Sequence, residues 1–217
     1  LQPAWGMTEM SPVGTVNFLK NSLQSTSEDE QDKLLVKQGI PLYGVDMKIV
    51  NDDNEELPWD GIKFGTLKVK GPWVAAKYYQ SDNNDHDNDG WFDTGDVCTF
   101  DTNGYMQITD RTKDVIKSGG EWISTIELEN LASDHEEVVE AAVIGISHPK
   151  WDERPVVFAI KNQNSALTEN NLLAYFDGKI AKWCKPDAVV FVEELPHTAT
   201  GKLDKKVLRK QFEHMSL

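Results

Sequence analysis

The stretch Gly90–Ser124, GWFDTGDVCTFDTNGYMQITDRTKDVIKSGGEWIS, constrains the rest of the chain more than any other. Val97, Thr99, Tyr105, Gln107 and Ile108 have strand character. The turn between them, Asp101-Thr102-Asn103-Gly104, carries the Asn-Gly pair favoured in tight hairpins. Asp96 falls where the first strand is expected to begin. A charged run, Asp110-Arg111-Thr112-Lys113-Asp114, follows the second strand. Ser118-Gly119-Gly120 is then a turn that lets backbone approach a ligand closely. Hairpin, charged run and glycine turn together predict a joint between two domains with a polar ligand at the seam.

A length of 217 residues is enough for one large or two small domains. The 39% hydrophobic content supports packed cores, and no apolar run reaches membrane length. A net charge of -14 excludes sequence-independent nucleic-acid binding, which needs a basic surface, but leaves room for a local basic patch that takes anions. Cys98 and Cys184 stand far apart without a metal-ligand pattern and read as free thiols of a reducing, cytoplasmic compartment.

Secondary-structure signals divide the chain in the same way. Ser27–Gln38 reads as a helix with Ser27 and Glu30 as a capping box and Gly39 as the stop. Short strands follow at Val45–Val50 and Thr66–Val69, with Trp73, Tyr78 and Tyr79 as packing residues. Beyond the joint, Ser124 and Glu127 open a helix to about Ser133. Val138–Ile146, Val156–Ile160 and Val189–Val192 read as three strands, and Thr168–Trp183 and Asp204–Glu213 as helices. The expected fold class is α+β throughout.

The acidic loop Ser81–Asp89 offers a separate reading. Asp85, Asp87, Asp89 and Gly90 fit the first, third, fifth and sixth positions of an EF-hand loop, with Phe92 at the eighth and Asp96 at the twelfth. The flanks argue against a calcium-binding module, because strands rather than helices are expected on both sides. A solvated acidic loop is the plainer alternative.

Four motifs in order carry a resemblance. They are Trp5-Gly6-Met7-Thr8-Glu9, the Asp96 to Gly120 stretch, Glu127-Leu128-Glu129, and Pro196-His197-Thr198-Ala199-Thr200-Gly201-Lys202. Together they resemble the acyl-adenylate-forming (AMP-binding) superfamily. Gly120-Glu121-Trp122-Ile123-Ser124 and His148–Pro155 look most like its medium- and long-chain fatty acyl-CoA ligases. The resemblance covers essentially the whole chain, but only the C-terminal part of such an enzyme. It implies that residues 1–109 end the large AMP-binding domain, with a β-barrel-like subdomain from about residue 40. Residues 110–217 would form a small, mobile α+β domain around a central three-stranded sheet.

Residue by residue, the resemblance implies that Trp5 stacks on adenine, Thr8 contacts phosphate and Glu9 helps hold Mg2+. An aromatic, a hydroxyl and a carboxylate so spaced also suit a purine with a metal-bound phosphate, though a loop with one buried tryptophan would look the same. Asp96 would accept the ribose hydroxyls, Ile108 would line the nucleotide site, and Arg111, a permanent cation with forked donors, would bridge ribose and phosphate. Asp110 matches the family's hinge, or is simply a surface Asp paired with Arg111 or Lys113. Gly119, Gly120, Glu121 and Trp122 would line the channel for coenzyme A, while a plain turn beside a core tryptophan is the alternative for Trp122. Lys202, on a hydroxyl-rich loop, would set its charge against the carboxylate–phosphate transition state.

The implied activity is ATP-dependent ligation of a fatty acid to coenzyme A through an acyl-adenylate. The family's Ser/Thr/Gly-rich phosphate loop ending in Pro-Lys does not occur in this sequence, so the chain by itself is expected to be inactive. A non-catalytic interaction fragment is the remaining alternative.

Overall fold

The computed structural model describes residues 2–80 and 86–216. Two compact units are present, Leu1–Thr112 and Lys113–Leu217. In the first, β1 (Ala4–Gly6), β2 (Val13–Val16) and β3 (Ile40–Pro41) make a small antiparallel sheet. The helix α1 (Glu28–Leu35) lies between β2 and β3. Its capping box forms as the sequence predicts, with the Glu30 N–H donating to Ser27 Oγ. The helix ends at Leu35, short of the predicted Gln38. No residue of it is buried, so nothing apolar rewards another turn.

The strands β4 (Asp46–Val50), β5 (Gly65–Lys70), β6 (Phe92–Phe100) and β7 (Met106–Arg111) form an antiparallel meander. Ile49, Leu67, Val69, Phe92, Cys98, Phe100 and Met106 pack one face of it into a core that also takes Trp5 and Met10. Trp73 packs against this core as expected, but Tyr79 is 91% exposed and Tyr78 is 45% exposed, so neither is a packing residue. The β6–β7 connection is the expected Asp101–Gly104 turn, with the Gly104 N–H donating to Asp101 O at 2.8 Å and the Asp101 N–H to Tyr105 O at 3.1 Å. Phe100 and Met106 are the last partners within the two strands, and the Asp101 side chain braces the turn by accepting the Asn103 and Tyr105 N–H groups on Oδ1 at 2.8 and 3.1 Å.

Asp96 lies in the middle of β6, not at its start. The ladder to β5 runs Thr66↔Val97 and then Lys68↔Asp93, so Thr94, Gly95 and Asp96 bulge out opposite Leu67. The Thr94 hydroxyl stitches the bulge, donating to Leu67 O at 2.9 Å and accepting the Asp96 N–H at 3.1 Å. Bulges re-aim side chains, and here the one re-aimed is a carboxylate.

The second unit is a five-stranded sheet, not the three-stranded one expected. A hairpin of β8 (Ile116–Ser118) and β9 (Glu121–Ile123) precedes α2 (Thr125–Ser133), whose first turn is capped by Ser124 Oγ. β10 (Val138–His148) and β11 (Asp152–Lys161) then pair over ten positions. After α3 (Glu169–Tyr175), β12 (Ala188–Phe191) lies parallel to β11, and α4 (Lys205–Gln211) ends the unit. The order β10-β11-β8-β9, with β12 also on β11, puts β10 at one edge and the β8–β9 hairpin at the other.

Both sheet faces are covered. Val143, Val157 and Ala159 face α2 and α3, while Ala142, Ile144, Val156 and Phe158 face Leu208 of α4. This is the period-two alternation of a strand buried on two sides. The helix predicted over Thr168–Trp183 is α3 alone. Gly178, at φ +76°, breaks the chain out of helix, and a separate 3-10 turn follows at Lys182–Cys184.

Candidate functional site

In the first unit the candidate residues gather around Asp96. Its side chain is 10% exposed, and both oxygens are engaged: Trp5 Nε1–H donates to Oδ2 at 2.8 Å, and Arg111 Nε lies 2.8 Å from Oδ1. The second contact follows from register, since Asp96 and Arg111 are direct partners on β6 and β7. A carboxylate offers about four lone-pair directions, so two stay open for hydroxyl donors. The Arg111 side chain is 57% exposed and keeps the rest of its fork in solvent.

Trp5 packs into the core of the first unit. Its ring is buried at 8% exposure, lying so close over Gly14 that a Cβ there would come within 2.5 Å of it. The face of the indole toward Gly14 is therefore covered. The indole orients Asp96 from below.

Thr8 is exposed at the start of the 3-10 turn Thr8–Met10, which the buried Met10 anchors. Glu9 is half-buried, its carbonyl accepting the Ala75 N–H at 2.7 Å and its Oε1 accepting the Tyr78 hydroxyl at 2.5 Å. Among the described residues no three His, Cys, Asp or Glu side chains converge on a metal position. One carboxylate nonetheless fits magnesium, which is commonly held by one or two carboxylates together with substrate phosphates. Ile108 is half-buried and spends its N–H on Gln38 Oε1 at 2.7 Å. Asp110 is 1% exposed on β7, opposite Val97, and takes the Arg111 N–H on Oδ1 at 2.8 Å. It is not a surface residue.

The acidic loop is only partly visible, Asp85 lying outside the described residues. Asp87 Oδ1 accepts the N–H groups of Asp89 and Trp91, and Oδ2 pairs with Lys68 at 3.4 Å. Desolvation alone would raise its carboxyl; the Trp91, Lys68 and Asp89 bonds outweigh that and hold it below the usual range. Asp96, the supposed twelfth ligand, is committed to Trp5 and Arg111.

In the second unit Gly119 and Gly120 form the β8–β9 turn, with φ +59° and +89°. Two successive positive values are what a two-residue primed turn needs, and glycine meets that at no steric cost. The two differ sharply in surroundings. A Cβ on Gly119 would sit 2.8 Å from the Trp151 ring, while one on Gly120 meets nothing within 4 Å. Beside the turn is a cleft of about 300 Å³ lined by Ser118, Gly119, Glu121, Trp151, Arg154 and Trp183, with Asp187 at its rim. Arg154 frames it. Its Nε and Nη2 reach Asp187 Oδ1 at 2.9 and 2.7 Å, Nη2 also donates to Lys185 O, and Nη1 donates to Ser118 Oγ and Trp183 O. Trp122 is half-buried beneath Lys117, whose Nζ sits 5.0 Å from its ring centroid; it is not a core residue.

Lys202 is exposed on a closed loop. Thr198 N–H donates to Lys202 O at 2.8 Å, Lys202 N–H donates to Thr198 Oγ1 at 3.2 Å, and His197 bridges Leu203. Two nearby basic residues are neutralised: Lys205 Nζ pairs with Glu129 at 2.7 Å and Arg209 with Asp114 at 2.7 Å. Lys202 makes no ion pair recorded among the described residues. The two thiols are both free. Cys98 is buried, and burial, then Asp96, raises it well above an ordinary thiol; Cys184, beside Trp183, is pushed up to about 11 by burial and then by Glu127.

Residues 1–79 match the AMP-binding enzyme family and residues 127–202 match the AMP-binding enzyme C-terminal domain. The chain belongs to the AMP-binding enzymes. It is 54% identical over 209 residues to a 3-methylmercaptopropionyl-CoA ligase of Ruegeria lacuscaerulensis, covering 96% of this chain and 39% of that protein. A medium-chain-fatty-acid–CoA ligase of Ectopseudomonas oleovorans is 52% identical over 96% of this chain and 38% of its own length. The ATP-bound crystal structure of MatB from Rhodopseudomonas palustris superposes with a TM-score of 0.81 at 30% identity, covering 98% of this chain and 41% of that one. The chain thus spans about two fifths of the length of the AMP-binding relatives it matches.

For an AMP-binding enzyme the cleft residues Trp151, Arg154, Trp183 and Asp187 are what sequence reasoning missed. Trp151 and Arg154 fall in the motif His148–Pro155, which pointed to them without saying what they do. Trp183 and Asp187 gave no signal, because only the fold brings them to the glycine turn.

Proposed function

We propose that this chain is the C-terminal part of an ATP-dependent acyl-CoA ligase. Residues 1–109 would be the end of its large domain, with the β4–β7 meander as the remnant of a barrel-like subdomain. Residues 110–217 would be its mobile C-terminal domain, pivoting at Asp110. The substrate carboxylate attacks the α-phosphorus of ATP, giving an acyl-adenylate and pyrophosphate; the thiol of coenzyme A then attacks the acyl carbon and AMP leaves. The acid is aliphatic, the class common to the two relatives named, and a medium- or long-chain fatty acid is the narrower reading that the 52% match supports.

Asp96 uses its open lone pairs on the ribose hydroxyls, with Trp5 holding it from behind and Arg111 reaching from ribose to phosphate. Ile108 lines the base and ribose. Thr8 contacts phosphate. Magnesium, held through Glu9 and the substrate's own phosphates, would supply charge neutralisation. In the small domain Lys202 stabilises the first transition state, while Gly119, Gly120, Glu121 and Trp122 border the pantetheine path along the cleft.

The observation that carries this reading is the placement of Lys202 and the glycine turn. The Lys202 loop is held at the β10 edge of the sheet through His197 and Glu140, and the turn closes β8 and β9 at the other edge. One edge can serve adenylation and the other thioester formation if the domain rotates between them. The test is made in an enzyme that contains this chain in full. At an effective dielectric near 20 a charge contact at about 4 Å is worth roughly 4 kcal/mol, so Lys202→Ala should slow adenylation about a thousandfold. Thioester formation from preformed acyl-adenylate should change far less. Gly120→Leu, whose side chain projects into open space, should obstruct coenzyme A and spare pyrophosphate exchange. Equal damage to one step by both variants refutes the two-edge mechanism.

A further inference from the structure

His197 stands immediately before the Lys202 loop, and both its ring nitrogens are occupied. Nδ1 lies 2.8 Å from Leu195 O, and Nε2 lies 2.8 Å from Glu140 Oε1 on β10. Both partners are acceptors, so only the imidazolium, with a proton on each nitrogen, can donate to both. A neutral ring must surrender one bond or set a lone pair against an oxygen. The far side of the loop is braced differently: Lys205 donates to Thr125 Oγ1 at 2.6 Å and pairs with Glu129, which itself takes the Val143 N–H at 2.8 Å. The loop therefore springs from one proton-dependent brace and one permanent brace.

We propose that His197 and Glu140 form a proton-operated latch that fixes the base of the Lys202 loop on β10, making His197 a positioning residue for Lys202. That Lys202 acts in adenylation rests on the ligase reading above; the latch itself does not. The hydrogen bond to Glu140, then Glu140's charge, raises the His197 pKa against a smaller opposing effect of desolvation. Facing the ring are Glu140 from β10 and the Leu195 carbonyl; Glu193 and Glu194 upstream are exposed, and Lys202 across the loop carries the opposite charge. Because the folded value is raised, the latch is fully closed below the ordinary histidine range and opens as pH rises through the raised value.

The test uses the 217-residue chain first. The His197 ring is titrated by NMR, and exchange protection of the Gly201 and Lys202 amides, corrected for intrinsic rates, is followed over the same pH range. The expected result is a raised His197 titration, with loop protection falling about tenfold across it. In Glu140→Gln the titration should return toward the ordinary value and protection should be low at every pH. His197→Gln, which lacks a second ring donor, should give the same low protection. Loop protection indifferent to pH and to both variants overturns the latch. In the enzyme containing this chain, Glu140→Gln should lower the adenylation kcat about tenfold on the acid side, erase its alkaline decline, and leave thioester formation unchanged. Adenylation unaffected while loop protection is lost overturns the positioning role. Lys202→Ala with undiminished adenylation would instead refute the adenylation role given to Lys202 and leave the latch measured by NMR intact.

Discussion

Replacing Arg154 should unmake the cleft more than any other single change. All its donors are spent on four acceptors drawn from three separate segments: Ser118 on β8, Trp183 and Lys185 around the 3-10 turn, and Asp187 before β12. The Asp187 pair involves an arginine side chain only 11% exposed, and a charge-assisted bond of that kind contributes about 1.5–3 kcal/mol. Three further bonds to Ser118, Trp183 and Lys185 add about 0.5–1 kcal/mol each, taken low because the cleft is open to water. Arg154→Ala should therefore cost about 4 kcal/mol. For a unit of roughly a hundred residues that lowers Tm by about 15 °C. Arg154→Lys keeps the charge for Asp187 but not the fork, and should recover about half. Thermal unfolding by circular dichroism, with hydrogen exchange on the β11 and β12 amides to assign the loss to the second unit, makes the measurement. A lysine variant as stable as the native chain would show that charge alone holds these segments, and a loss under about 1 kcal/mol in the alanine variant would reduce Arg154 to an ordinary surface pair.

Other outcomes are equally specific. Asp96→Ala leaves the buried Trp5 N–H without its acceptor and should cost about 2 kcal/mol of first-unit stability, while Asp96→Ala added to Trp5→Phe should cost less than the two separately. Strict additivity in denaturant titrations would show that the bond contributes nothing. Gly119→Ala should be worse than Gly120→Ala by about 1–3 kcal/mol, since both force an L-residue to positive φ but only the first drives a methyl into Trp151; equal melting temperatures would contradict the packing. Limited proteolysis should cut near Arg111–Lys113 and leave a stable piece ending at the C-terminus, whereas first cleavage inside β10 or β11 would refute independent packing of the second unit.

What could be read from the sequence was what the chain decides locally. The Ser27 and Ser124 caps, the β4 and β5 strands and the two-sided apolar alternation of β10 and β11 need only neighbouring residues. The motif Pro196–Lys202 likewise announced an exposed lysine loop. The rest needed distance. Nothing near Trp5 reveals that Gly14 makes room beneath its ring or that Asp96, far along the chain, takes its N–H. β8 and β9 are three residues each, too short for any periodic signal, so the sheet looked three-stranded. The long helix expected over Thr168–Trp183 failed at Gly178, where a helix-compatible run of side chains met a backbone that turns left-handed. The cleft was invisible because Arg154 gathers it from segments that share no local pattern.

The state of the two thiols has a consequence for selectivity between nucleophiles. An acyl-adenylate is a mixed anhydride of the acid with AMP, and any thiolate nearby competes with coenzyme A for its acyl group. Cys184 is the next residue after Trp183 in the cleft wall, and a thiol held at about 11 is ionised in only about one molecule in a thousand at pH 8. Cys98 is shut inside the first core and raised further from ionisation by burial and Asp96. Sulfur kept protonated in this way is a poor nucleophile toward such an intermediate.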